Sequence, residues 1–71
     1  MRLRPHALLD AVLDITKWKN DAEACRVLDV VPPVFSRIRS RKQKVSAHLI
    51  LLIHEHTGMS VATIRKLIDK S

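Results

Sequence analysis

Apolar residues recur at helical spacing near the start of the chain. The stretch from about His6 to Thr16 predicts a helix in which Asp10 and Asp14 lie on the wet face, opposite the apolar stripe. Pro5 lies where a first-turn proline is tolerated, because its missing N–H would be unpaired in any case. The apolar stripe consists of Leu8, Leu9, Val12 and Leu13.

The middle of the chain predicts two shorter helices. Asn20 is a favourable N-cap and Glu23, three residues later, can reach back as in a capping box, which starts a helix that continues through Leu28. A turn must follow, because Pro32 and Pro33 cannot lie inside a continuing helix. They can lie at the start of a third helix, predicted from about Pro33 to Ser40. The apolar positions of that helix are Val34, Phe35 and Ile38.

Two further helices complete an all-α pattern. Residues 41–45 form a basic connection, after which Ser46 can cap a fourth helix that ends near His56 and is closed by Gly58. Ser60 can cap a fifth helix, and no segment shows the two-residue alternation of a strand. The fifth helix has Val61, Ile64, Leu67 and Ile68 at helical spacing. We expect one domain over residues 1–71, a compact five-helix bundle.

Residues 21–40, DAEACRVLDVVPPVFSRIRS, have the composition of two short helices that meet across a tight turn. Asp29 is one of the few non-glycine residues that tolerate the left-handed backbone such a turn needs. Small residues for the helix crossing are Ala22, Ala24 and Cys25. Apolar residues for a shared core are Leu28, Val30, Phe35 and Ile38. The outer face of the second of these helices would carry Pro32, Pro33, Ser36, Arg37 and Ser40.

This pattern, with its flanking helices, resembles the helix-turn-helix of the lambda-repressor/Cro-like (XRE-type) DNA-binding family over roughly residues 7–69. The chain departs from the family where Asp29 replaces a glycine and where Ser40-Arg41 replaces Asn-Gly. The resemblance implies a helix-turn-helix unit at about residues 21–40 with a recognition helix at about Pro33–Ser40. Its implied base-contacting residues are Val31, Pro32, Pro33, Ser36 and Arg37. Its implied phosphate-contacting positions are Asn20, Asp21, Ser40, Lys42 and Lys44.

The charge distribution favours the same surface. Thirteen Lys and Arg residues face seven Asp and Glu, a formal net charge of +6 that indicates a polyphosphate or anionic membrane partner. Five of the basic residues and no acid lie between Arg37 and Lys44, which adds Arg39 and Arg41 to the predicted phosphate contacts beside Lys42. On its own such a run could be a solvated loop. A membrane surface is disfavoured, because the basic residues do not lie opposite a long apolar stripe.

Arg37 is the predicted base reader, since a guanidinium can bond both acceptors on a guanine edge; a backbone contact or a surface ion pair is the alternative. Pro32 and Pro33 either only preset the start of the helix or offer apolar contact, for example to thymine methyl groups.

Other chemistry is not expected. The single cysteine, Cys25, is predicted to be a buried, unreactive thiol. His54 and His56 point to different sides of a helix and His48 lies six residues back, so no metal site is expected. Without a catalytic constellation or phosphate loop, we expect neither an enzyme, nor a cofactor, nor a small-molecule substrate. The longest apolar run, residues 49–53, is too short for a membrane span, which favours a soluble, intracellular protein. The family resemblance implies the cytoplasm of a bacterial or phage-infected cell.

The apolar run of the fourth helix also suggests a partner. We expect Leu49, Leu52 and Ile53 in the core, and Ile50 or Leu51, with part of the fifth helix, in a homodimer surface.

Together with the resemblance and the charge distribution, the sequence predicts a transcriptional regulator, preferably a repressor, that binds double-stranded DNA sequence-specifically as a homodimer through helices four and five. The alternative is a helical protein-interaction module that docks on a toxin or a polymerase subunit, with DNA binding secondary.

Overall fold

The protein forms the five helices that its sequence predicts. The computed structural model describes residues 5–71, and within this range the secondary structure is five α-helices and no strand. The helices are α1 (Ala7–Thr16), α2 (Asp21–Leu28), α3 (Pro32–Arg39), α4 (Ala47–Thr57) and α5 (Val61–Lys70). The radius of gyration, 10.7 Å, is close to the ~11 Å expected for a compact chain of this length.

Side-chain caps begin four of these helices. The predicted caps Asn20, Ser46 and Ser60 are confirmed, each accepting a backbone N–H from the first turn of its helix. His6 is the cap of α1 rather than its first residue, so Pro5 precedes the cap and does not lie in the first turn. The Glu23 carboxylate receives the N–H of Lys19, not that of Asn20.

The third helix begins without a side-chain cap. Pro32 and Pro33 occupy its first two positions, which places the helix one residue earlier than predicted at each end. Proline is suited to these positions because its φ is already helical and its missing N–H leaves no bond unmade.

Residues with left-handed backbone conformation follow the ends of α2 and α3. Asp29 has φ 58°, as predicted, and Arg41 has φ 61° after the end of α3. In both cases the next residue donates its N–H back into the helix, Val30 to the carbonyl of Cys25 and Lys42 to the carbonyl of Arg37. These bonds satisfy carbonyl groups that the helix end would otherwise leave unpaired.

The core is aliphatic with a single aromatic side chain. Helix α1 packs against α4 and α5, and α2 packs against α3 and α4. The buried apolar residues are Leu8, Leu9, Val12, Leu13, Ala24, Cys25, Leu28, Phe35, Ile38, Leu49, Ile53 and Ile64. One prediction of a core contact is wrong: Ala22 is exposed, since α2 turns Ala24 and Cys25 inward instead. Leu52 is half-buried and packs against the core.

A buried ion-pair cluster connects three helices. Arg39 at the end of α3 is only 4% exposed. Its guanidinium donates to both carboxylate oxygens of Asp21, from Nε at 2.5 Å and from Nη2 at 2.9 Å, and donates from Nη1 to Asp10 at 2.9 Å. We call these three residues the Arg39 cluster. Asp10 therefore does not lie on a wet face as predicted, because it faces α3.

The two carboxylates of the Arg39 cluster stabilise the charged form of Arg39. Burial acts to lower the pKa of Arg39, but the hydrogen bonds that the guanidinium donates to Asp21 and Asp10, together with their negative charges, outweigh burial, and the pKa is raised. A planar guanidinium can bond one carboxylate with two parallel N–H groups and still reach a second, which an ammonium group cannot do. The cluster thus ties α1, α2 and α3 together in one arrangement.

A buried histidine lies beside this cluster. His6 Nδ1 accepts the N–H of Leu9 at 3.4 Å and lies 3.3 Å from the hydroxyl oxygen of Ser71. Burial, followed by the positive charges of Arg41 and Arg39, lowers the pKa of His6 below its ordinary value of 6.5, and Asp10 offsets this only in part. The folded protein therefore favours the neutral imidazole.

We expect Arg39→Ala to lower the free energy of unfolding by about 2–4 kcal/mol, because it removes buried packing and the charged hydrogen bonds to the partly buried Asp21 and Asp10. Arg37→Ala, two residues away in the same helix but exposed, should change it by less than ~0.5 kcal/mol. Urea titration followed by far-UV circular dichroism, with Trp18 fluorescence as a second probe, measures both. Equal losses in the two variants would contradict the role of the Arg39 cluster.

We expect stability to fall as the solution is acidified from pH 7.5 towards pH 5, in part through His6. With the folded-state pKa below 6.5, the unfolded chain binds the proton first, so the His6 contribution is complete above pH 6.5 and is lost as the pH falls through the folded pKa. His6→Asn keeps a capping side chain without a titrating ring and should flatten the pH profile of urea stability. His48→Gln, at an exposed histidine, is the control and should keep the wild-type dependence of stability on pH. Identical pH profiles for the wild type and His6→Asn would refute the role of His6.

Candidate nucleic-acid interface

Helix α3 has one buried and one exposed face. Phe35 and Ile38 are 1% and 2% exposed, and they attach the helix to the core from behind. The predicted base-contacting residues of the helix lie together on the opposite side, since they are three or four residues apart. This exposed face carries Pro32, Pro33, Ser36 and Arg37, with Val31 directly before it, and all five are exposed.

Arg39 is not available for the phosphate contact predicted for it. Its guanidinium is turned inward to Asp21 and Asp10, and its side chain is almost completely buried. The prediction rested on the run of basic residues, in which an inward-facing arginine cannot be told from an outward-facing one. The sequence does contain the two acidic partners of Arg39, Asp10 in α1 and Asp21 in α2. Their pairing with Arg39 depends on how three helices pack.

The segment after α3 is exposed and basic. Lys42 and Lys44 are both exposed, as predicted. Arg41 is exposed as well, but its Nη1 donates to the carbonyl oxygens of Pro5 at 3.0 Å and of Arg39 at 2.6 Å. The half-buried Ser40 donates its hydroxyl to the carbonyl of Arg37 at 3.1 Å. Arg41 therefore holds the segment against Pro5, just before α1. The two lysines are exposed and available to an outside anion.

Asn20 lies at the exposed start of α2. Its side-chain oxygen accepts the N–H of Glu23 at 2.9 Å. The amide nitrogen is then the group with which Asn20 can donate to an anion. Asp21, next to it, is bound to Arg39 and presents its carboxylate to the protein.

An open groove with apolar and charged lining lies between α5 and the start of α4. Its volume is about 420 Å³, and it is lined by Val45, Ala47, Ile50, Arg65, Ile68 and Asp69. Leu51, predicted as a possible dimer contact, is 51% exposed on α4, and Val61 is 40% exposed on α5. Ile50, the other predicted contact, is half-buried in the groove.

The other side chains that could bind a metal or react, those of two histidines and the cysteine, contact the protein itself. His54 donates from Nδ1 to the carbonyl oxygen of Met59 at 2.6 Å, and the ring of His56 lies edge-on to Trp18. Cys25 is buried, and burial, with a smaller contribution from Asp21, raises the pKa of its thiol. Within residues 5–71, no group of three or more metal-ligating side chains is placed around a common point, and no helix has the length and hydrophobicity needed to cross a membrane.

Comparisons of the chain with protein-family models, with curated proteins and with solved structures found no match.

Proposed function

We propose that α2, the turn at Asp29 and α3 form a DNA-binding helix-turn-helix, and that the protein is a sequence-specific regulator that represses transcription by occupying its operator. The observation that carries this proposal is the two-sided α3. Phe35 and Ile38 hold the helix from behind while Ser36 and Arg37 remain outside, with exposed lysines following the helix. A short helix supported in this way can enter a major groove without disturbing the core.

Arg37 is the residue we assign to direct base reading. Its side chain is exposed on the outer face of α3, one turn after Pro33. A guanidinium in this position can donate two hydrogen bonds to O6 and N7 of guanine, the commonest specific contact in the major groove. Ser36, on the same face, can donate or accept a further hydrogen bond.

Asn20, Ser40, Lys42 and Lys44 are the residues we assign to phosphate contacts. They lie at the start of α2 and after the end of α3, so they can reach the backbones on either side of a groove that holds α3. Arg39 is excluded because it is buried, and Arg41 contributes charge while its Nη1 bonds the protein's own carbonyl groups.

A homodimer through α4 and α5 would double this surface. The exposed Leu51 and Val61, together with the groove beside Ile50, provide apolar area that a second copy could cover. Two symmetric half-sites about one helical turn apart would then be read. Sedimentation of the protein, free and bound to duplex, tests this part of the proposal, and monomers in both states would remove it.

The same groove supports a second candidate function. Its lining combines the apolar Ile50 and Ile68 with the charged Arg65 and Asp69, which suits an amphipathic helix of another protein, so the chain could act as an interaction module with DNA binding secondary. Binding to random duplex at two salt concentrations separates the two functions. Affinity that falls steeply with salt favours the regulator, and no binding at low salt favours the interaction module.

We expect Arg37→Ala to weaken binding to a duplex selected from a random pool by about 1–3 kcal/mol and to relax the preference for one base pair. Lys42→Ala and Lys44→Ala should instead weaken binding to all sequences and reduce the slope of log K against log salt by about one each. Fluorescence anisotropy over a salt series measures these quantities.

Lys66→Ala, an exposed lysine on α5, serves as the matched control and should leave binding to within about twofold of the wild type. Circular dichroism verifies that each variant is folded. If Arg37→Ala binds every duplex as the wild type does, the assignment of Arg37 to base reading is wrong.

A further inference from the structure

The first three positions of α3 are apolar and offer no free N–H group. Pro32 and Pro33 have no N–H, and the N–H of Val34 is donated to the carbonyl of Val31 at 3.0 Å. The helix has no side-chain cap, and none of the three side chains at residues 31–33 carries a polar atom. This start therefore cannot bind a phosphate in the way that free N–H groups at a helix N-terminus do.

The same three residues are nevertheless exposed. Val31 is 63% exposed, the largest value among the exposed large apolar side chains of the described residues, and both prolines are exposed beside it. We call Val31, Pro32 and Pro33 the apolar edge. It adjoins Arg37, which lies one helical turn further along the same face, and Lys42 follows the end of the helix. The apolar edge thus belongs to a surface whose charge favours duplex DNA.

The major groove offers few partners for such an edge. Its base edges present hydrogen-bond donors and acceptors, which valine and proline side chains cannot bond, and one apolar group, the C5 methyl of thymine. A methyl at the same ring position of cytosine presents the same apolar surface. Contact with that group buries apolar area on both sides and covers no polar side-chain atom of the apolar edge.

We propose that the apolar edge recognises the C5 methyl group of a pyrimidine in the major groove, that of thymine or of 5-methylcytosine. The inference rests on the proposed function, since it assigns part of the sequence preference of α3. It makes the protein a reader of methyl groups at one end of α3 and of a guanine edge at Arg37.

Removal of single methyl groups from the DNA tests the inference. In a duplex selected from a random pool, each thymine of the bound half-site is replaced in turn by uracil, which deletes only the methyl. One or two positions should show about fourfold weaker binding, the change expected for ~0.8 kcal/mol of lost apolar burial. At the same positions, a 5-methylcytosine pair should bind about fourfold more tightly than the unmodified cytosine pair.

Variants of the protein assign the effect to the apolar edge. Val31→Ser removes the apolar side chain but places a favourable capping residue before α3, so the variant should fold. The ratio of thymine to uracil affinity should fall in Val31→Ser and approach one when Pro32→Ser and Pro33→Ser are added. Val27→Ser, an exposed valine on α2, is the matched control and should keep the wild-type ratio.

The outcomes separate the inference from the function on which it rests. Specific binding by the wild type with ratios near one at every thymine overturns the inference and leaves the proposed function intact. A fourfold ratio that persists in the triple variant assigns the methyl contact to another surface and also overturns it. Should the triple variant lose its helical circular dichroism, Val31→Ser decides, and an unchanged ratio there overturns the inference. Absence of any duplex binding removes the proposed function and the inference together.

Discussion

Arg39 occupies the position on which the arrangement of the first three helices depends. One guanidinium bonds Asp21 of α2 with two N–H groups and Asp10 of α1 with a third, while its own backbone belongs to α3. Burying a charge is costly unless its hydrogen bonds are satisfied, and here the two carboxylates satisfy them. Apolar packing is tolerant of small rotations, whereas this bonding geometry is not. The contacts that hold α3 from behind its outer face are therefore polar at Arg39 as well as apolar at Phe35 and Ile38.

The local structure of the chain was largely predictable because its signals are local. The caps Asn20, Ser46 and Ser60 each bond an N–H three residues away, and Asp29 and Gly58 adopt the left-handed backbone within a single residue. Such contacts depend on neighbours in sequence alone. The five helices and the exposed position of Arg37 followed from them and from apolar periodicity.

The errors of prediction arise where distant residues meet. Asp10 and Arg39 are separated by 29 positions, so neither the wet face assigned to Asp10 nor the phosphate contact assigned to Arg39 could be tested against the neighbouring sequence. In α2, an eight-residue helix, several small residues compete for the crossing, and the packing partner decides that Ala24 rather than Ala22 is buried. The basic run of residues 37–44 contains one buried arginine, Arg39, among exposed arginines and lysines, and composition alone cannot separate the two kinds.

The separation of the two faces of α3 has a consequence for how such a protein can change. Phe35, Ile38 and Arg39 supply the attachment of the helix, and its four outward residues are not part of the buried core. Substitutions of Ser36 and Arg37 are thus nearly free of a folding cost, as is usual for exposed positions, whereas Pro32 and Pro33 also preset the start of the helix. Natural divergence or laboratory redesign could therefore alter ligand preference through Pro32, Pro33, Ser36 and Arg37 while the same scaffold is inherited unchanged.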